Sequence, residues 1–157
     1  MPLRHALLTC LLCLPLAAHA LETGQPLAPW TLLDQFDKPF TFGSDTQLLL
    51  VARSMDAAKL VDAAIKTQPE GYLEARHAAY VADIEHMPTI IANAVAIPAM
   101  RSAHYRILLD REGRVASRYD GARDSVQWLR VADGKLVEQK VFTDAEGLRQ
   151  ALEQAGQ

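Results

Sequence analysis

The chain has 157 residues, of which 16 are lysine or arginine and 19 are aspartate or glutamate. This length fits a domain of ordinary size, and the charge balance is mildly acidic. Nucleic-acid binding needs a positively charged face, and the sequence has no cluster of basic residues that would supply one. We therefore predict that nucleic acid is not a partner.

The first twenty residues have the layout of a secretory signal peptide. A positive charge precedes an apolar run, and Ala18-His19-Ala20 fits the small-x-small pattern of a cleavage site. The run is shorter than the roughly 20 apolar residues of a spanning helix, and Pro15 interrupts it. We predict that residues 1–20 are cleaved, and that residues 21–157 form one periplasmic domain with no membrane attachment.

Both cysteines of the chain, Cys10 and Cys13, lie inside this apolar run. Their C-x-x-C spacing is typical of redox proteins, but cysteine in such a run behaves as a small hydrophobe. Lipid attachment is an alternative, although it favours a small residue before the cysteine, where Thr9 and Leu12 stand. Residues 21–157 contain no cysteine, so we predict no thiol–disulfide chemistry in the processed protein.

The first half of the processed chain predicts strands followed by a strand–helix unit. An extended lead-in at residues 21–29 precedes short strands at 30–33 and 40–42, which flank a polar turn. Leu48-Leu-Leu-Val51 is a continuous apolar run, typical of a strand covered on both faces. The pattern then changes to a period of 3.6, which predicts a helix over 55–66 with Ser54 as its N-cap.

The second half predicts further strands at 78–84 and 105–109, with an apolar helix between them that begins after Pro88 and ends at Pro98. Residues 112–119 fit either a short helix or a hairpin. Asp133-Gly134 predicts a two-residue hairpin turn, and Thr143-Asp-Ala-Glu146 fits a capping box before a last helix. The order predicts an α/β fold with a mixed central sheet and helices on both faces.

Three stretches of the sequence resemble the redoxin/peroxiredoxin branch of the thioredoxin-like superfamily. They are the lead-in from Gly24 to Phe40, the strand, acidic-Gly turn and short helix from Ile107 to Tyr119, and the terminal hairpin and helix from Val126 to Leu148. The signal peptide followed by Glu22-Thr-Gly24 also resembles the small periplasmic YtfJ-type proteins. The resemblance implies a thioredoxin-like three-layer sandwich.

The same resemblance locates a candidate site at the junction of the first long strand and its helix. Redox-active relatives hold their nucleophilic cysteine there, where the helix N-terminus lowers the thiol pKa. This chain has no cysteine at that junction, and it also lacks the proline that relatives place before the hairpin. The resemblance therefore implies the fold without the redox activity. The candidate ligand-binding residues at this position are Arg53, Ser54, Met55, Asp56 and Arg123.

Other chemistries at these positions have weaker sequence support. Ser54 at a helix N-terminus fits an N-cap, and it also fits an anion or oxyanion site; no G-x-S-x-G motif marks it as a nucleophile. His86, Met87 and His104 are soft-metal donors, but their spacing matches no metal motif. We therefore assign no catalytic residue, no metal site and no cofactor.

The apolar helix before Pro98 has two interpretations. A helix that is apolar almost all round is usually buried. If Asn93 marks a solvent-facing side, the remainder forms an exposed patch that indicates a partner or a dimer contact. The leading hypothesis is an exported, redox-inactive binding or accessory module with a protein or small ligand as its partner. The alternative is a non-thiol enzyme or a metal-handling periplasmic protein.

Overall fold

The computed structural model describes residues 20–119 and 121–157. Both cysteines and residues 1–19 of the predicted signal peptide lie outside this part of the chain. The strands are β1 (Trp30–Asp34), β2 (Pro39–Phe42), β3 (Leu48–Ala52), β4 (Ala78–Asp83), β5 (Leu108–Asp110), β6 (Val126–Ala132) and β7 (Lys135–Phe142). The helices are α1 (Met55–Ile65), α2 (Thr89–Ile91), α3 (Ile97–Met100) and α4 (Ala145–Ala155), with short 3₁₀ helices at Glu74–Arg76 and Ala116–Arg118.

The strands form one seven-stranded mixed sheet in the order β2-β1-β5-β4-β3-β6-β7. Strands β3, β4 and β5 are parallel, whereas the pairs β1–β2, β1–β5, β3–β6 and β6–β7 are antiparallel. The β6–β7 turn contains Asp133 at φ 51° and Gly134 at φ 73°, as expected for the predicted hairpin. The described part of the chain contains no helix with the length and hydrophobicity to span a membrane.

Strand β3 is buried on both faces, and its side chains divide between two cores. Leu48, Leu50 and Ala52 face a core that contains α1, α4 and residues of the apolar helix. Leu49 and Val51 face a second core, which the lead-in, β1 and the Ala116–Arg118 helix cover. The predicted mixed α/β sheet is confirmed. In the part of the chain that the structure describes, the longer helices pack on one face, and the Ala116–Arg118 3₁₀ helix with the lead-in and β1 covers the other.

The prediction that Pro98 ends the apolar helix is wrong. Residues Ala92–Ala96 form a π-helical stretch between α2 and α3, and the Ile97 N–H donates to the Ala92 carbonyl. The π-helical stretch places Pro98 in the first turn of α3. Proline has no backbone N–H, and in a first helical turn the missing donor costs little stability. We call residues 89–100 the apolar helical segment.

Two other boundaries differ from the predictions. The third parallel strand spans only Leu108–Asp110, because the Gln35 side chain donates to the Tyr105 carbonyl (2.8 Å) and accepts from the Ile107 N–H (2.9 Å) in place of ladder bonds. The N-cap of α4 is Asp144 and not Thr143. Asp144 Oδ1 accepts from the Gly147 N–H at 2.7 Å, and Glu146 contacts Arg149 and Gln150 instead of reaching back.

The cap assignment is testable with two neighbouring substitutions. We expect Asp144→Ala to lower the free energy of unfolding by about 1 kcal/mol, because it leaves a helix N–H without its acceptor. Thr143→Ala is the matched control and should change stability by less than about 0.5 kcal/mol. Urea denaturation measures the free energy of unfolding of both variants. A larger loss in Thr143→Ala than in Asp144→Ala would indicate that Thr143 is the cap.

Candidate functional site

The junction of β3 and α1 places three predicted site residues in different environments. Ser54 is extended (φ −151°, ψ 167°), and its Oγ accepts from the Ala57 N–H at 3.1 Å, so it is the N-cap of α1. Met55 follows with 55% of its surface exposed. Asp56 points to solvent and lies 3.7 Å from Lys59, with both side chains largely exposed.

Arg53 turns inward toward the end of the neighbouring strand. Its Nε lies 3.7 Å from Asp83 Oδ2, and the side chains of Arg53 and Asp83 are 21% and 1% exposed. Asp83 Oδ1 accepts from the Glu85 N–H at 3.0 Å, which holds the turn after β4. A charged pair with this little exposure joins the carboxyl ends of β3 and β4.

Further polar side chains surround this pair in register across the sheet. Asp83 pairs with Asp110 between β4 and β5, and Val51 pairs with Gln127 between β3 and β6. Four buried atoms here have no hydrogen-bond partner among the described residues: Arg53 Nε, Asp83 Oδ2, Asp110 Oδ1 and Gln127 Oε1. We call these four residues the polar cluster. Buried polar atoms of this kind normally bind ordered water or a ligand.

The loops beside the polar cluster fit closely against it. Asp110 Oδ2 accepts from the Val115 and Ala116 N–H groups at 2.8 and 2.7 Å, which fixes the start of the second 3₁₀ helix. Gly121 packs closely against the Gln127 side chain, so a larger residue at position 121 would displace the Gln127 amide. Arg123 is exposed in the same loop, which leads into β6 beside the end of β3.

The candidate metal donors do not form a metal site in the described part of the chain. His86 and His104 are exposed, and Met87 is partly buried against the helical core. The described residues include no group of three or more histidine, cysteine, aspartate or glutamate side chains arranged to hold a metal ion.

A groove of about 410 Å³ runs between α1 and the chain from residue 96 to 107. We call it the α1 groove. It includes two predicted residues, Met55 and His104, and its other lining residues are Ala58, Lys59, Asp62, Lys66, Tyr80, Ala96, Ala99, Met100, Ser102, Ala103, Tyr105 and Ile107. Sequence reasoning missed this groove, because its walls come from segments about 40 residues apart in the chain.

Two tyrosines and a carboxylate connect the walls of the α1 groove. The Tyr105 hydroxyl donates to Asp62 Oδ1 at 2.8 Å. Burial raises the pKa of Tyr105, and the hydrogen bond to Asp62 raises it further. Burial also raises the pKa of Tyr80, which lies beneath Tyr105 with the ring centroids 6.3 Å apart. Both hydroxyls therefore stay protonated at neutral pH.

Solved structures of thiol-active proteins share this fold. The peroxidoxin BcpB from Mycobacterium tuberculosis has a TM-score of 0.57 and 16% identity, covering 86% of this chain and 96% of that one. The thioredoxin domain of a thiol-disulfide oxidoreductase from Bacteroides vulgatus has a TM-score of 0.57 and 12% identity, covering 88% and 100%. A thio-disulfide isomerase from Thermus thermophilus has a TM-score of 0.53 and 21% identity, covering 87% and 98%.

The fold is thioredoxin-like, as the sequence predicts, and it resembles the folds of peroxiredoxins and thiol-disulfide proteins. No protein-family model matches the chain, and no curated protein matches it in sequence. At these sequence identities the likeness to solved structures shows the fold alone.

The buried charge pair is testable by removing one partner. We expect Asp83→Asn to lower the free energy of unfolding by about 3 kcal/mol, because it leaves Arg53 mostly buried beside a neutral group. Asp56→Asn is the matched control on the exposed side of the same junction and should cost less than about 0.5 kcal/mol. Guanidinium denaturation at neutral pH measures both, and equal losses would contradict a structural role for the pair.

The buried tyrosines predict alkaline sensitivity. Because burial raises the pKa of Tyr80 and Tyr105 above the ordinary value of 10.0, the folded state holds these protons more tightly than the unfolded state. Their stabilising effect is complete below pH 10 and is lost as the pH rises further. Each group contributes a slope of up to about 1.4 kcal/mol per pH unit. The Tyr80→Phe/Tyr105→Phe variant should show a flatter profile in denaturation between about pH 9 and 11, and an unchanged profile would contradict the assignment.

Proposed function

We propose that this protein is exported and works by binding a partner protein through the apolar helical segment, without thiol chemistry. The signal-like residues 1–20 support export, and the absence of cysteine from residues 21–157 supports a role outside redox catalysis. At the position where redox-active relatives hold a cysteine, Ser54 caps α1. A serine hydroxyl cannot replace a thiolate or form a sulfenic acid.

The observation that carries the proposal is the exposure of large apolar side chains on the apolar helical segment. Ile90, Ile91 and Val95 are 79%, 48% and 59% exposed, whereas Ala92 and Ile97 face the core. Residues 88–100 contain no charged side chain. Contiguous exposed apolar surface is characteristic of interaction sites in soluble proteins.

This surface lies beside the candidate site. Ala96 of the segment and Met55 at the start of α1 line the same groove, so the apolar surface continues toward the position of the redox site in relatives. An uncharged apolar surface selects a partner whose contacting face is also apolar, because burying an unpaired charge against it is costly. We assign that partner as a different protein, and a second copy of this chain is an outcome that the test distinguishes.

The first experiment compares cross-linked complexes in living cells for the wild type, Ile91→Glu and Val141→Glu. Both residues are exposed valine or isoleucine side chains, so neither substitution should change the free energy of unfolding by more than about 0.5 kcal/mol. We expect one defined heterologous complex in the wild type and in Val141→Glu, and its loss in Ile91→Glu.

Other outcomes have definite meanings. A complex that persists in Ile91→Glu contradicts the apolar helical segment as the binding surface. A complex containing only this chain, confirmed by analytical ultracentrifugation, replaces the heterologous partner with a second copy. Ser54→Ala removes an N-cap and should lower stability, but at an equal amount of folded protein it should leave the complex and the cellular role intact. Loss of the cellular role in that variant, with the complex unchanged, favours the non-thiol enzyme instead.

A further inference from the structure

The α1 groove extends along α1, and small side chains line both of its walls. Its α1 wall runs from Met55 to Lys66, which at a rise of 1.5 Å per residue spans about 16 Å. Alanines at positions 58, 96, 99 and 103 line both walls, and Tyr80 and Ile107 belong to the same lining. Larger residues at the alanine positions would fill the space.

The charges along the groove favour one sign of ligand. Lys59 and Lys66 belong to its lining, and the single carboxylate there, Asp62, already accepts a hydrogen bond from the Tyr105 hydroxyl. Asp56 lies 3.7 Å from Lys59, but both side chains are exposed, and exposed pairs interact weakly. With two lysines and one aspartate the lining has a formal charge of +1, whereas the whole chain has a formal charge of −3.

We propose that the α1 groove binds a free anionic amphiphile, a molecule with an elongated apolar body and one carboxylate, sulfonate or phosphate end. The apolar body would lie along the alanines and Met100, out of water. The anionic end would lie near Lys59 or Lys66 at the open side of the groove. This site adjoins the proposed protein-binding surface, but Ile90, Ile91 and Val95 are not part of its lining.

The test uses calorimetric titration of the purified protein with three probes below their micelle concentrations: dodecanoate, decanoate and dodecyltrimethylammonium. We expect dodecanoate to bind at one site and at least about tenfold more tightly than the cationic probe, because the lysines attract only the anion. Decanoate should bind roughly fifteenfold more weakly than dodecanoate, since each buried methylene contributes a factor of about four. Dodecanoate affinity should also fall with added salt.

Substitutions locate the site and keep the proposal falsifiable. Ala99→Trp should abolish dodecanoate binding by filling the groove, and Ala94→Trp, on an exposed part of the same segment outside the groove, is the steric control. Lys59→Glu/Lys66→Glu should weaken binding about tenfold, whereas Lys140→Glu on β7 should leave it unchanged.

Equal binding of the anionic and cationic probes, or unchanged binding in the lysine double variant, would overturn the proposal even if Ala99→Trp does not fold. Ile91→Glu should bind dodecanoate like the wild type. If it loses the cross-linked protein partner but keeps dodecanoate, the two surfaces are independent. Absence of dodecanoate binding overturns the groove assignment alone and leaves the protein-binding proposal standing.

Discussion

The architecture depends on one constraint: strand β3 is apolar on both faces, and both faces must be buried. All five residues of Leu48–Ala52 are buried, so the strand is stable only between two apolar layers and two neighbouring strands. Strands β4 and β6 supply the neighbours, and α1 and α4 supply most of one layer. Among the described residues the second layer contains no long helix, and it is assembled from the lead-in, β1 and the Ala116–Arg118 3₁₀ helix.

The sheet remains buried beyond the last residue of β3, where the sequence becomes polar. Arg53 and Asp83 follow the apolar runs of β3 and β4, and Asp110 occupies the matching position in β5. These side chains do not turn outward as a solvated edge would. They stay under the loops that include Gly121, and they hold these loops through hydrogen bonds such as those that Asp110 accepts from the Val115 and Ala116 N–H groups. The Arg53–Asp83 pair joins the ends of β3 and β4, and Asp110 binds the loop that follows β5.

Local pattern predicts the elements of this protein well but not its site. The continuous run of β3, the Asp133-Gly134 turn and the Ser54 cap each depend on neighbouring residues, and the structure has all three. The polar cluster and the α1 groove depend on register and on which segments meet, and periodicity contains no information about either. Pro98 shows the same limit of local pattern. Proline usually ends a helix, but here a π-helical stretch precedes it and the helical segment continues to Met100.

Residues 21–157 contain no cysteine, and Ser54 occupies the N-cap position of α1. In a thiol enzyme the free N–H groups at a helix N-terminus stabilise a thiolate. Here Ser54 uses one of those groups for capping, and the Arg53 guanidinium is directed to Asp83 instead of toward solvent. The exposed features lie to the side of the helix tip: Met55, the α1 groove and the uncharged apolar helical segment. The thioredoxin-like scaffold thus presents its exposed apolar surfaces beside the start of α1 and not at the helix tip itself.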